Sequence, residues 1–490
     1  MEYLHMVNRL VAVDDSDYRL PTPVLLASLS TEENDQAMAG FLNSTTPSAA
    51  QRAADERYGT TLYASAYGVV GDGAADDGPA LQALLNRAAA FGASVTLEAG
   101  STLLLGVAIT VPTGTRVYGN RATIRKSAAL ASSAFVIAGV SDVTIDGLRV
   151  DGQRALFASS EHQHGFYIAP NAQRITLRDV EVFNCNGDGI YIGHQGGASK
   201  NITLINVHSY GNNRQGMSVS HVSGLTAIGC TFRTTSGTNP RAGVDIEPNT
   251  GSVVCENIKF VSCTFSGNGH FGFLVAFAYT PTVNQGGIDL MGCTIEGNGV
   301  DSVNFGGGLN LRAARDFTMT GGVIRNNIGP GVFIDWTAIS RGIKFQGVTI
   351  EGNSQHGFHV RSGVDDLAII GCTIRDNGTG NPGSYAGCII NPQLASTNIR
   401  YLGNTSEGVS QRYGFQTTSS APITRVMLVG NTYRDNSLGA RSLADTASSR
   451  LDLDTVATPT VAGSRGGNAA LASLITALTA RGIIVDGTTA

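Results

Sequence analysis

"NGDGIYIGHQGGASKNITLINVHSYGNNRQGMSV", residues 186–219, decides the fold. Gly189 is followed by Ile190, Tyr191 and Ile192, an apolar–x–apolar triplet with the period of two expected of a strand. Further short strand-like runs follow, then an Asn/Gly turn, and the triplet begins again after Gly216. The same x-Gly-apolar-x-apolar motif recurs as HGFYI (164), DGIYI (188), QGMSV (215), AGVDI (242), FGFLV (271), GGLNL (307), PGVFI (330), HGFHV (356), AGCII (386) and YGFQT (413). From Gly165 to Gly414 the motif glycines are 24, 27, 27, 29, 36, 23, 26, 30 and 27 residues apart. Asn-rich turns such as GNNRQG, SGNGHFG and RNNIGPG precede most of them. A unit this short has no core of its own. Stacked at the ~4.8 Å strand spacing, neighbouring units bury a continuous one, and their aligned Asn side chains can hydrogen-bond along the stack.

The predicted fold is all-β: a single-stranded right-handed parallel β-helix with an N-terminal capping helix and a short C-terminal helix. A β-propeller requires four strands per blade and a longer period. The strands are also too short and too evenly repeated for a sandwich. Three segments follow: 1–60 as an N-terminal attachment or linker segment, 61–445 as the β-helix, and 446–490 as a tail with an amphipathic helix.

The capping helix is read from "GDGAADDGPALQALLNRAAAFG" (71–92). Asp76 or Asp77 caps it, Pro79 suits its first turn, Leu81, Leu84, Leu85 and Ala88 form its apolar stripe, and Gly92 ends it. The C-terminal helix is capped by Asn468, carries Leu471, Leu474, Ile475 and Leu478 on one face, and stops at Gly482. A short helix of this kind needs a surface to bury against, either its own β-helix or copies of itself in a trimer.

Composition narrows the function. Only 14% of residues are charged, and the net charge is -5, so neither nucleic acid nor an anionic membrane is an expected partner. There is no run of roughly 18 apolar residues to span a membrane. The N-terminus carries early acidic residues and no continuous apolar core, so no signal peptide is read and release by lysis is expected for an extracellular or virion protein. Seven cysteines lack metal-ligand spacing. Cys230, Cys263, Cys293 and Cys372 fall where sister segments have Val180, Val207 and Val348, which predicts buried, reduced core thiols.

"YGVVGDGAADDGPALQALL" with "VTLEAGSTLLL" and "VSDVTIDGLRVDGQR" resembles the start of the pectate-lyase-3-type β-helix superfamily. The resemblance spans roughly residues 60–440 and includes bacteriophage tailspike depolymerases, mannuronan C5-epimerases and rhamnogalacturonan-active enzymes. It implies the fold and a carbohydrate ligand, but not one reaction. The two end segments resemble pieces of phage tail proteins, which implies a homotrimer and virion or tail proteins as partners of the N-terminal segment.

Strand alternation selects the outward residues. In each motif the two apolar residues face the core, while the residue between them and the one after face out. Candidate substrate contacts are Tyr167, Tyr191, Ser218, Asn310, Arg312, Asp335, His359 and Arg361, with His194 and His221 just past their strands. Inserts at "AFAYTPTVNQGG", "TFRTTSGTNPRAG" and "DGQRALFASSEHQHG" are candidate groove walls.

Asp245 and Glu247 are the candidate catalytic residues. They share the outward face with α-carbons about 6.6 Å apart. Glycosidases pair one protonated and one ionised carboxyl, at roughly 5–5.5 Å for retention and 6.5–9.5 Å for inversion. Like charges this close raise one pKa, as a general acid requires. Small neighbours (Ser218 and Ser220 below, Leu274 and Ala276 above) are expected to leave room for sugar rings. A solvated polar pair, or a structural Ca2+ contact with Asn249, is the alternative; no other cofactor is expected. In the resembling epimerases the motif reads Tyr-Gly-Phe-Asp-Pro-His-Glu. Asp245 stands at its Asp, but Ala242 and Glu247 stand where its Tyr and His would be. The expected activity is therefore hydrolytic cleavage of a bacterial surface polysaccharide. The alternatives are a uronate lyase or C5-epimerase using Tyr191 or His221 with Arg312, and a non-catalytic receptor-binding β-helix.

Overall fold

The computed structural model describes residues 61–193, 196–248, 250–277, 285–301, 306–335, 338–418, 420–444, 450–453, 460–480 and 484–489. Three parallel sheets of 15, 14 and 13 strands run along the chain, and sheet neighbours are three strands apart in sequence along most of it. Each full coil thus gives one strand to each sheet. In one coil these are Ile190–Ile192 in the third sheet, Ser199–Ile205 in the first and His208–Tyr210 in the second, before Met217–Val219 starts the next. The first sheet runs from Thr61–Tyr63 to Arg450–Leu453.

The core is a stack of aligned side chains. On the third sheet Ile190, Met217, Val244, Phe273, Leu309, Val332, Phe358 and Cys388 follow one another in register, and all are buried. The motif glycine is required by closeness rather than by an unusual φ. A Cβ on Gly243 would lie 2.5 Å from the Gly272 carbonyl oxygen, and one on Gly216 would lie 2.5 Å from that of Gly243. The coils approach so tightly at this corner that only hydrogen fits.

An asparagine ladder forms as expected. Asn268 Nδ2 donates to Asn298 Oδ1 at 2.9 Å, Asn298 to Asn327 at 2.9 Å, Asn327 to Asn353 at 2.9 Å, and Asn353 to Asn377 at 2.8 Å. Gln411 continues it, accepting from Asn377 at 3.1 Å. All seven cysteines are free and buried.

Helix α1 (Gly78–Phe91) closes the N-terminal end of the core with Leu81, Leu84, Leu85 and Ala88 buried, and its C-cap is Gly92. The two aspartates divide the capping. Asp76 Oδ1 accepts from the backbone N–H of Gly78, whereas Asp77, at the N-cap position, turns back to accept from Val70 and Gly71. Helix α2 (Ala469–Ala480) connects two parallel strands, Thr460–Ser464 and Val485–Thr489. Asn468 Oδ1 caps it by accepting from Ala470 and Leu471. Of its apolar stripe Ile475 is buried, while Leu471 and Leu474 stay exposed; Gly482 lies outside the described residues.

Candidate active site

The outward file on the third sheet has the register read from the motif. Tyr167, Tyr191, Ser218, Asp245, Leu274, Asn310, Phe333 and His359 are consecutive β-partners across successive coils. Direction did not guarantee exposure, however. Asp245 is only 1% exposed, and Ser218, Ser220, Leu274, Asn310 and Phe333 are also buried. The space expected above the carboxylates is filled: Leu274 and Ala276 pack with Ala242 and Phe271 into a small apolar cluster outside the main core. Asp245 is therefore not a solvated surface acid, because Gln215 meets it from the turn below and its β-partner Leu274 lies above it.

Below that cluster lies a cleft of about 200 Å³, lined by Glu161, His162, Tyr191, Arg214, Ser218 and Glu247 among others. Tyr191 supplies one wall. Its hydroxyl lies 3.0 Å from Ser220 Oγ, and its ring stacks on His164 at 4.9 Å between centroids. Tyr167 continues the aromatic wall one coil below, 5.7 Å from Tyr191.

Arg214 organises the charges. It comes from the turn before Gly216 and its side chain is 15% exposed. The guanidinium lies 3.4 Å from Asp188 Oδ2, 3.8 Å from Glu247 Oε2 and 3.9 Å from Glu161 Oε2. Asp188 is fully buried, and burial pushes its carboxyl up to about 6 even with Arg214 beside it. His164, also buried, is held down to about 3 and stays neutral. Its Nδ1 accepts from the Asp188 N–H at 3.2 Å, so its approach to the Asp188 carboxyl is not an ion pair.

Asp245 Oδ2 accepts from Gln215 Nε2 at 3.0 Å, while its Oδ1 has no hydrogen-bond partner. Burial, then the neighbouring Glu247, pushes Asp245 up to about 8. Burial also raises Glu247, although Arg214 and Arg312 pull it down. The two form one titrating pair that holds a proton near neutral pH. Glu247, 44% exposed, presents that pair to the cleft.

The remaining predicted residues divide by height along the stack. Arg312 donates from Nε to Asn310 Oδ1 at 2.9 Å and lies over the Phe271 ring. Asp335 is the β-partner of Arg312 and lies 3.7 Å from Arg361 Nε. His359 packs against Phe333 at 5.1 Å and His356 at 4.8 Å, and burial lowers it to about 4. Arg312 is close enough to feel the charges of Glu247 and Asp245, whereas Asp335 and His359 lie on coils beyond the Leu274 cluster. His221 is buried and does not line the cleft. His194, Asn249 and most of the 276–287 insert lie outside the described residues. Sequence reasoning missed Arg214, Asp188, Gln215 and Glu161. The first three flank motif glycines at positions treated as turn residues, and Glu161 lies in an insert noted only as a wall.

A family model, the right handed beta helix region, matches residues 133–289. The chain is a right-handed parallel β-helix. No curated protein matches it. Among solved structures, this β-helix is similar to the A-module of Azotobacter vinelandii mannuronan C-5 epimerase AlgE6, at 18% identity over 81% of this chain and 99% of that one, with a TM-score of 0.51. The N-terminal fragment of bacteriophage phi29 gene product 12 is similar at 16% identity, covering 82% and 76%, with a TM-score of 0.55. The Dettilon tailspike protein gp208 is similar at 11% identity, covering 84% and 73%, with a TM-score of 0.50. At these identities the likeness is one of fold. Among the described residues there is no group of His, Cys, Asp and Glu suited to a metal ion, and no helix long and apolar enough to cross a membrane.

Proposed function

We propose that this β-helix binds a bacterial surface polysaccharide along its third sheet and hydrolyses it in the cleft at Glu247. The observation that carries the reading is a carboxyl pair with raised proton affinity, one member of which faces a cleft walled by tyrosine. A sugar ring can lie against Tyr191, and Arg214 and Ser218 offer hydrogen bonds to its hydroxyls. Glu247 acts as general acid toward the glycosidic oxygen. Asp245, buried behind it, is a positioning residue that keeps the pair protonated. Tyr167 extends the binding face downward, and Arg312, Asp335, His359 and Arg361 extend it upward.

The likeness to phage tail structures supports an extracellular or virion protein; a trimer, with residues 1–60 as attachment segment and 446–490 as tail, is part of the same proposal. The test is release of reducing ends from a panel of capsular and uronate polysaccharides. Wild-type protein should cleave at least one of them, and Glu247→Gln should bind that glycan without cutting it.

A lyase is the second reading, because Arg214 and Tyr191 place a cation and a phenol in the same cleft. It predicts an ultraviolet-absorbing unsaturated product instead of simple hydrolysis. A non-catalytic receptor-binding protein predicts binding with no new chain ends from any glycan.

A further inference from the structure

Hydrolysis needs a second carboxyl that reaches the substrate, and Asp245 does not line the cleft. We propose that Glu161 is that second catalytic carboxylate, acting as the general base opposite Glu247. This inference rests on the hydrolytic reading above.

Glu161 lines the same cleft and is 54% exposed, so it is accessible to both water and a sugar. It and Glu247 approach different nitrogens of one guanidinium, Nε and Nη2 of Arg214, at 3.9 and 3.8 Å. The nearest carboxylate oxygens of the two acids therefore lie no more than about 10 Å apart, a limit that admits the roughly 6.5–9.5 Å separation of inverting glycosidases. The Arg214 Nε is buried and makes no hydrogen bond, so Glu161 is drawn toward the cleft without being locked to it.

The loop carrying Glu161 is well anchored. The Phe157 ring covers the buried Lys126 ammonium at 4.6 Å. Arg154 Nη1 donates to the carbonyls of Gly211 at 2.9 Å and Ser236 at 3.3 Å. Ser159 Oγ lies 2.8 Å from Thr238 Oγ1 and accepts from Asn213 Nδ2 at 3.0 Å. The Gly187 N–H donates to the Gln163 carbonyl at 3.0 Å. Contacts on both sides of residue 161 thus hold the backbone that carries its carboxylate beside the cleft, part of the preorganisation a catalytic group requires.

In the proposed step the proton held by the Asp245–Glu247 pair is delivered through Glu247 to the glycosidic oxygen as the C1–O bond breaks. Water attacks C1 from the opposite face, and Glu161 takes the proton that water loses. The products are an alcohol end and an inverted reducing end. Glu247 is left ionised and Glu161 protonated, and exchange with solvent resets both.

The test compares Glu161→Gln, Glu161→Asp and wild type on whichever polysaccharide of the panel wild type cleaves, with anomeric configuration followed by NMR. Glu161→Gln should lose about a hundred-fold or more in kcat with KM little changed. It should also lose the acid limb of the pH–rate profile, and Glu161→Asp should recover part of the rate. Because Glu161 is exposed, the variants should melt with wild type. Turnover of Glu161→Gln within about two-fold of wild type, or retention of configuration, overturns the role of Glu161 while leaving hydrolysis standing. Failure of wild type to release ends from any polysaccharide overturns the hydrolytic reading and this inference with it.

Discussion

Two corners of the same coil bury polar groups in opposite ways. In the ladder from Asn268 to Gln411, each internal Asn amide oxygen accepts from the amide and the backbone N–H of the coil before, and each amide nitrogen also donates to a main-chain carbonyl. On and beside the third sheet, the buried Asp245 Oδ1, Gln215 Oε1, Arg214 Nε and Asn310 Nδ2 have no hydrogen-bond partner. Buried polar atoms are nearly always paired in folded proteins, so the unpaired group beside the cleft is where the proposed function would trade stability for chemistry. The ladder stabilises the stack, and the unsatisfied corner is the proposed site.

The largest expected effect on stability lies in the ladder. Asn298→Leu strands the Asn268 amide and its backbone N–H, and should cost about 3 kcal/mol in denaturant unfolding. Gly243→Ala comes next, at about 2 kcal/mol, because its Cβ has no space against Gly272. A ladder variant as stable as wild type would break the contrast.

Asp245→Asn sharpens it through pH. The Asp245 carboxyl is raised from 3.8 to about 8 on folding, so between these values the native state binds more protons than the unfolded state. Its contribution to stability is therefore present at acid pH and is lost as pH rises toward about 8. The difference between wild type and Asp245→Asn should show this slope, and the alkaline limb of the activity profile should move to lower pH in the variant. Equal slopes would mean that Asp245 is ionised in the native protein. The smallest effect is expected for Tyr191→Ala: about a five-fold rise in KM, or ~1 kcal/mol, from the lost wall.

Much of this was legible in the sequence because it follows from period and register. The apolar triplets, the Asn turns, the stripe of α1 and the outward file from Tyr167 to His359 all depend on local alternation, which stacking then copies from coil to coil. Alternation gives the direction of a side chain but not what folds over it. Asp245 points outward as read, yet it is buried between Gln215 below and the Phe271 cluster above. Arg214 and Glu161 escaped notice because a turn and an insert, which carry no period, place them. Glu161 reaches the cleft only through the contacts of Phe157, Arg154 and Ser159 with distant coils.

The most direct test sets one variant from each corner side by side. Reducing-end release by Glu247→Gln and Asn298→Leu should be measured on the same polysaccharide, at a temperature where both are folded. The account predicts a rate about 10³-fold below wild type for Glu247→Gln and a near-normal rate for Asn298→Leu, despite the latter's lower stability. Near-normal turnover by Glu247→Gln, or equal losses in the two variants, would contradict it.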